Sequence, residues 1–311
     1  MRRRVTSMPT IQAFITDARR RLERAGIAVV EAALDADVLA RHALGGWERG
    51  QLLACARDAA PPGFAAAYEP LVGRRERREP AAYIVGTREF WNLDIEVTPG
   101  VLVPRPETEF VVEEALARLT PGAAEAATAT RDGDASAGCV SPRVADVGTG
   151  SGCLAIALAR WLPDCQVVAT DLSERALAVA ARNAVRHDVV HRIRFVRTDL
   201  LDGITGPFHA IVSNPPYVPS GDLPSLQPEV RDHEPVGALD GGPDGLDVIR
   251  RLVPAAASCL MTGGWLLFEF SYGQVETVRA LVATEPRLCL ESVRDDLAGI
   301  PRVAVAQRRA G

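Results

Sequence analysis

The residues Asn214-Pro215-Pro216-Tyr217 follow directly on the apolar run Ala210-Ile211-Val212 and Ser213. A buried strand that ends in Asn-Pro-Pro-aromatic cannot continue as sheet. The first proline fixes its own φ and drives Asn214 out of the helical region, and neither proline donates a backbone hydrogen bond. The chain therefore leaves the sheet with an amide side chain, free carbonyls and an aromatic ring. In open α/β sheets the carboxyl ends of the strands are where ligands bind. A rigid group of acceptors beside a ring suits the holding of a planar NH2 group while its nitrogen reacts.

A second constellation lies upstream. Arg143-Val144-Ala145-Asp146-Val147 reads as a short buried strand, followed by Gly148-Thr149-Gly150-Ser151-Gly152 and an apolar helical stretch over residues 154–161. Strand, glycine loop and helix let backbone approach a ligand closely, because glycine has no Cβ in the way. A dinucleotide fingerprint requires a third glycine three places after the second. Cys153 stands there instead, which disfavours NAD and FAD. The chain contains no lysine, which excludes a standard P-loop. The next apolar strand, residues 166–170, ends in Asp171, where an acidic side chain can take both hydroxyls of a ribose. A ribose-bearing cofactor without a pyrophosphate fits this set, and S-adenosylmethionine is the obvious member.

Taken singly, each feature has an ordinary structural explanation. The glycines can serve a plain strand-to-helix turn, Asp171 can cap a helix from Ser173 onward, and Asn-Pro-Pro-Tyr can be a tight turn. Their succession, each at the carboxyl end of an expected strand, gives the set its specificity.

Further motifs flank these. Pro80-Ala81-Ala82-Tyr83-Ile84-Val85-Gly86, Glu89-Phe90-Trp91 and Val103-Pro104-Arg105-Pro106-Glu107-Thr108-Glu109 precede the glycine loop. Glu234-Pro235, Ala238-Leu239, Asp244-Gly245-Leu246, Asp296-Leu297-Ala298-Gly299 and Arg302-Val303 follow Tyr217. With them the chain resembles, over nearly its whole length, the protein-(glutamine-N5) methyltransferases that modify peptide chain release factors, the PrmC/HemK family. Asn-Pro-Pro-aromatic is shared with N6-adenine methyltransferases and identifies a chemistry. Pro-Arg-Pro-Glu-Thr-Glu is typical of the release-factor branch, whereas a sister branch directed at a ribosomal protein differs there.

The resemblance implies a class I, Rossmann-like α/β methyltransferase fold. Its mostly parallel seven-stranded sheet has an antiparallel last strand, and a small N-terminal helical domain is joined to it by a β-hairpin. It implies S-adenosylmethionine held by Gly148, Thr149, Gly150, Ser151, Gly152, Asp171, Asp199, Leu200 and Asn214. Asp199 ends an expected strand at 193–198; where the family often has an aromatic this chain has Leu200, which offers adenine an apolar face. The substrate implied is the glutamine of a release factor's Gly-Gly-Gln motif, bound by Asn214, Pro215, Pro216 and Tyr217. In that reading the Asn214 oxygen and the Pro215 carbonyl accept the two amide N–H bonds, and Tyr217 stacks on the amide plane; Asn214, Pro215 and Tyr217 carry the catalysis. The alternatives are an N6-adenine nucleic-acid methyltransferase, which uses the same acceptors on a flipped base, and a non-catalytic module of the same fold.

The elements that must position these residues are legible in part. Residues 10–73 read as helices, with apolar stripes at Ile11, Phe14, Ile15 and Ala18 and at Ala36, Val38, Leu39 and Ala43. Residues 90–103 alternate around a Pro99-Gly100 turn and read as the linking hairpin. Residues 107–119 read as an amphipathic helix, and residues 120–142, rich in Ala, Gly, Thr and Asp, as a disordered loop. From Arg143 onward strands and helices alternate, which means βαβ units. Residues 265–270 and 302–306 read as two more strands. The expected division is a helical, release-factor-binding domain at 1–86, a hairpin linker at 87–105 and a catalytic domain at 106–311.

Composition agrees. At 311 residues, 47% hydrophobic and 24% charged, the chain is an ordinary globular enzyme in makeup. No run reaches the ~18–20 apolar residues of a membrane span, and Arg2-Arg3-Arg4 has no apolar stretch behind it, so no secretory signal is expected. A start at Met8 fits the chain equally well. Six scattered cysteines without a Cys-x-x-Cys pair suggest reduced thiols in a cytoplasm, and no metal site is expected. A net charge of −5 argues against a nucleic-acid substrate. The exception is the cluster Arg74-Arg75, Arg77-Arg78, read as a solvated helix face, or else as a contact to an acidic partner or ribosomal RNA. Arg105 and Glu107 either fix the hairpin against the active site or pair with each other, and the structural role is favoured. The expected state is a monomer.

Overall fold

A computed structural model describes residues 8–120 and 141–310. The expected disordered loop lies, but for its ends, outside the described residues. The chain divides into two compact units, Met1–Thr87 with Gln227–His233, and Arg88–Leu226 with Glu234–Gly311. Among the described residues no helix is long and apolar enough to cross a membrane.

The first unit contains α1 (Ile11–Arg24), α2 (Val29–Ala43), α3 (Arg49–Cys55), α4 (Phe64–Glu76) and α5 (Ala81–Val85). Thr10 caps α1 by accepting from the Ala13 amide, and Glu48 with Gln51 forms a capping box on α3. Ile11, Ile15, Leu22, Leu39, Leu52, Phe64 and Tyr68 close a common core. The Tyr68 hydroxyl is satisfied inside it, donating to the Ala36 carbonyl at 3.0 Å.

The arginine cluster is not a solvated face. Arg75 is 1% exposed and donates to Asp35 at 2.6 Å, Glu229 at 2.7 Å and Glu31 at 3.0 Å. Arg78 donates to the other Glu229 oxygen at 2.6 Å, and Arg74 pairs with Glu79. A guanidinium presents five donors in one plane, so a ring of carboxylates can bury it whole. Those carboxylates lie far away in sequence, which is why the cluster reads as surface. Arg77 alone of the four is exposed.

The second unit opens with a hairpin of β1 (Thr87–Phe90) and β2 (Leu93–Glu96). Its turn is Trp91-Asn92, both at positive φ (51° and 56°), as a two-residue hairpin loop requires. Pro99-Gly100 is therefore not the hairpin turn, and the chain beyond Glu96 runs as a loop in which Val97, Val101 and Val103 are buried. A 3-10 turn at Pro106–Thr108 leads into α6 (Glu109–Leu119), and Glu109 accepts the Trp91 amide hydrogen at 2.8 Å.

Then follow β3 (Arg143–Val147), α7 (Cys153–Trp161), β4 (Gln166–Asp171), α8 (Glu174–Arg186), β5 (Ile193–Arg197), β6 (Phe208–Ser213), α9 (Pro228–His233, counted with the helical unit), α10 (Asp247–Cys259), β7 (Leu260–Glu269), α11 (Val275–Ala283), β8 (Leu288–Asp295) and β9 (Pro301–Arg308). The seven-stranded sheet has the order β5-β4-β3-β6-β7-β9-β8, parallel except for β9. Its strands β3, β4 and β6 are near-continuous apolar runs because helices cover both faces. Val147 stands beside Thr170 and Ser213, Thr170 beside Val196, and Ser213 beside Phe268. This register brings the glycine loop, Asp171, Asn214 and Glu269 out along one edge.

Candidate active site

That edge borders a cavity of about 300 Å³ lined by Gly148, Gly150, Asp171, Asp199, Leu200, Asn214, Pro215 and Pro216, together with the loops at 100–102 and 235–238. The volume lies at the low end of small-molecule sites, ~300–1,000 Å³.

The glycine loop is fixed from below. Gly148 and Thr149 both donate backbone N–H to the Thr170 carbonyl, at 2.9 and 2.8 Å. The Thr149 hydroxyl donates to Asp146 Oδ2 at 2.6 Å, and the same oxygen accepts the Ala155 amide hydrogen at 3.0 Å. Asp146 is fully buried, its Oδ1 has no partner among the described residues, and burial pushes its carboxyl up to about 7. Gly152 sits at φ +84°, where an added Cβ would stand 3.0 Å from Ala180 of α8. Only glycine permits that helix contact. Asn183, also fully buried, donates to the carbonyls of Ser151 and Glu96 and accepts the Glu96 amide, which ties loop, α8 and β2 together. Of the five loop residues, Gly148 and Gly150 line the cavity, whereas Thr149, Ser151 and Gly152 act as its support.

Asp171 stands at the end of β4. Its Oδ2 accepts the Gly150 amide hydrogen at 2.9 Å and its Oδ1 that of Ser173 at 2.8 Å, so it serves the turn into α8 as well as the cavity wall. The cap itself is Ser173, whose hydroxyl accepts from Ala176. Burial raises the Asp171 carboxyl above its usual range. Each oxygen keeps a lone pair for a ribose hydroxyl. Asp199 is paired with Arg251 at 2.6 Å, and Arg251 is the one basic side chain among the described residues lining the cavity. The Asp171 carboxylate on the wall, with a lone pair left on each oxygen, fits a nucleoside cofactor that carries a ribose.

At the end of β6, Asn214, Pro215 and Pro216 face the cavity, but Tyr217 does not line it. Its ring packs on the apolar core, and its hydroxyl donates to Glu269 Oε1 at 2.7 Å. Glu269, 1% exposed at the end of β7, also accepts from the Thr108 hydroxyl at 2.7 Å, and Thr108 in turn accepts from Asn214 Nδ2 at 2.9 Å. Burial raises the proton affinity of both Glu269 and Tyr217. Arg105 pairs with buried Glu234 at 2.6 Å rather than with Glu107.

Sequence reasoning passed over Asp146, Thr108 and Glu269 as site residues. The signal for Glu269 was a carboxylate inside Trp265-Leu266-Leu267-Phe268-Glu269-Phe270, where a charge is costly unless it has donors waiting. His209 is structural, its Nδ1 accepting the Arg143 amide hydrogen at 3.0 Å.

Residues 13–86 match the PrmC N-terminal domain and residues 135–224 the methyltransferase small domain. A release factor glutamine methyltransferase from Geobacter sulfurreducens is 46% identical over 239 residues, 76% of each chain. Another, from Moorella thermoacetica, is 39% identical over 305 residues, covering 96% of this chain and 99% of its own. Among solved structures, a methyltransferase from Pyrococcus furiosus is similar in fold, with a TM-score of 0.50 and 16% identity over 71% of this chain and 91% of that one.

Proposed function

The chain belongs to the release factor glutamine methyltransferase family, and from that membership we propose that it methylates N5 of the glutamine in the Gly-Gly-Gln motif of peptide chain release factors, using S-adenosylmethionine. The observation that carries the reading is the arrangement of Asn214, Pro215 and Pro216 on the wall of the same cavity as Asp171 and the glycine loop. Acceptors for an amide and a carboxylate for a ribose meet there at one sheet edge.

An amide nitrogen is a poor nucleophile because its lone pair is delocalised into the carbonyl. S-adenosylmethionine, when bound, supplies an electrophilic sulfonium methyl group. The protein's part is to hold the amide in line, with the Asn214 oxygen and the Pro215 carbonyl accepting its two N–H bonds. As positive charge builds on nitrogen those bonds strengthen, which stabilises the transition state selectively. Orientation adds to this, with effective molarities on the order of 10⁵ M or more in favourable cases. No general base is needed early, since methylation itself makes the nitrogen acidic. Gly148, Gly150, Asp171, Asp199 and Leu200 hold the cofactor, Asp171 through the ribose. Tyr217 acts from outside the cavity, its ring on the apolar core and its hydroxyl on Glu269.

The helical unit grips the release factor. In support, Val29, Val30, Leu34 and Leu53 border a groove on that unit with more than half of their surface exposed (56%, 74%, 54% and 67%). Family membership and the charge of −5 set aside the N6-adenine alternative. Labelled S-adenosylmethionine, offered with a purified release factor, its Gln→Ala variant and DNA, tests the reading. Label on the intact release factor alone is expected. Label on DNA, or on the Gln→Ala variant, would overturn it.

A further inference from the structure

We propose that Glu269 is a positioning residue for methyl transfer, which acts through the Thr108 hydroxyl to decide which end of the Asn214 amide faces the cavity. The inference rests on the role given above to the Asn214 oxygen, and adds what holds that oxygen in place.

The amide group of an asparagine is nearly symmetric in shape, so packing does not distinguish its oxygen from its nitrogen; only hydrogen-bond partners do. Reversal would be ruinous here. A nitrogen turned into the cavity would present N–H bonds to the N–H bonds of the substrate amide. Something must therefore bind the Nδ2 end on the far side, and it must be an acceptor that cannot become a donor.

A hydroxyl alone does not meet that requirement, because it rotates and can donate as readily as accept. Thr108 Oγ1 lies 2.9 Å from Asn214 Nδ2 and 2.7 Å from Glu269 Oε2. A carboxylate accepts and does not donate. The single Thr108 proton is thus committed to Glu269, and toward Asn214 the hydroxyl has only lone pairs to offer. Nδ2 must point at Thr108, and Oδ1 is left for the cavity that Asn214 lines. The other carboxylate oxygen is engaged in the same way, accepting the Tyr217 hydroxyl hydrogen at 2.7 Å. The Thr108 and Tyr217 hydroxyls, donating to opposite oxygens, favour the charged, acceptor-only form of Glu269 against the burial that raises its proton affinity. The two ends of the motif, Asn214 and Tyr217, thereby share one anchor.

The topology makes this possible. Ser213 pairs with Phe268 in parallel register, so Asn214 and Glu269 leave neighbouring strands at the same level of the sheet. Thr108, the last residue of the 3-10 turn at Pro106–Thr108, is buried between them. The Pro-Arg-Pro-Glu-Thr-Glu segment thus enters the chemistry through its threonine.

The test uses the full chain with Thr108→Val, Thr108→Ser and Glu269→Gln, a purified release factor and S-adenosylmethionine. Valine keeps the shape of threonine without the hydroxyl, and glutamine keeps the shape of glutamate while offering a donor. Thr108→Val and Glu269→Gln are each expected to lower kcat by about 10- to 100-fold, the scale of a misplaced reacting group, with KM for S-adenosylmethionine changed by less than about threefold. Thr108→Ser restores most of the rate. The double variant Thr108→Val/Glu269→Gln loses less than the product of the single losses, because both act on one amide. Wild-type kcat in Thr108→Val would overturn the proposal whether or not Glu269→Gln folds, and losses that multiply would overturn it where that variant folds. The wild-type enzyme is assayed first: if it fails to methylate the release factor, the substrate reading has failed. The Asn214 side-chain NH2 resonance needs no substrate. It is expected to shift in Thr108→Val and return in Thr108→Ser, and a resonance unmoved in Thr108→Val would overturn the positioning role alone.

Discussion

The Asp171 carboxylate and the Gly150 amide are joined by a 2.9 Å hydrogen bond, so the acidic residue at the end of one strand holds the glycine loop at the end of its neighbour. Loop shape therefore depends on the side chain to which the proposed function gives the ribose. Asp171→Ala is expected to weaken S-adenosylmethionine binding by about 1.5–3 kcal/mol, the scale of hydrogen bonds to a charged group. The midpoint of thermal unfolding should also fall, because the Gly150 and Ser173 amides lose their acceptor. Titration calorimetry showing wild-type affinity would remove Asp171 from the ribose.

In the proposed mechanism Asn214→Ala removes an acceptor from the reacting nitrogen. Methyl transfer to the release factor should fall by about 10²-fold or more, as when one preorganised partner of a transition-state charge is deleted. The far-ultraviolet circular dichroism spectrum should be unchanged, since Asn214 lies outside the sheet ladder. Turnover near the wild-type rate would refute the acceptor mechanism.

What the sequence disclosed follows from what each element needs. The parallel strands β3, β4 and β6 are covered on both faces and so are written as short apolar runs that stop at Gly148, Asp171 and Asn214. Their ends mark the cavity. β8 is at the sheet edge, with an irregular pattern of exposure and a shifted register, and carries no clean alternation to read. The hairpin turn Trp91-Asn92 contains no glycine, whereas Pro99-Gly100 has the composition of a turn and is not the one used. Thr108 and Glu269 are 161 positions apart, and Arg75 and Glu229 are 154 apart. Pairings over such distances leave no local pattern, only the anomaly of a charge among apolar neighbours.

Arg75 supplies a test of the helical unit. Its guanidinium is buried against Glu31, Asp35 and Glu229, of which Glu31 has 40% of its side chain exposed and the others less. Breaking a buried ion pair costs about 3–5 kcal/mol because a charge is left uncompensated. The exposure of Glu31 places Arg75→Met near the lower end, about 3 kcal/mol. Denaturant unfolding should register the loss, and a variant as stable as wild type would mean that the carboxylates are well solvated without their partner.

Asp146 gives a prediction with a defined pH window. Burial lifts its carboxyl from the ordinary 3.8 to about 7 in the folded chain, so between those values the native state holds a proton that the unfolded state has released. Stability falls as pH rises wherever the native state binds the additional proton. The contribution of this group is therefore full below about 3.8, declines through that interval and is lost above about 7. Asp146→Asn keeps an oxygen for the Thr149 hydroxyl and the Ala155 amide but cannot ionise. At pH 4 variant and wild type should unfold at similar temperatures. At pH 8 the variant should be the more stable by about 4 kcal/mol, the cost of ionising a buried carboxyl whose titration is moved from 3.8 to about 7. Titrating groups that do not feel Asp146 cancel in the difference between the two proteins, which leaves Asp146 with the charges it interacts with, Asp171 and Cys153. Parallel unfolding temperatures from pH 4 to pH 8 would mean that Asp146 is ionised throughout, with its second oxygen satisfied.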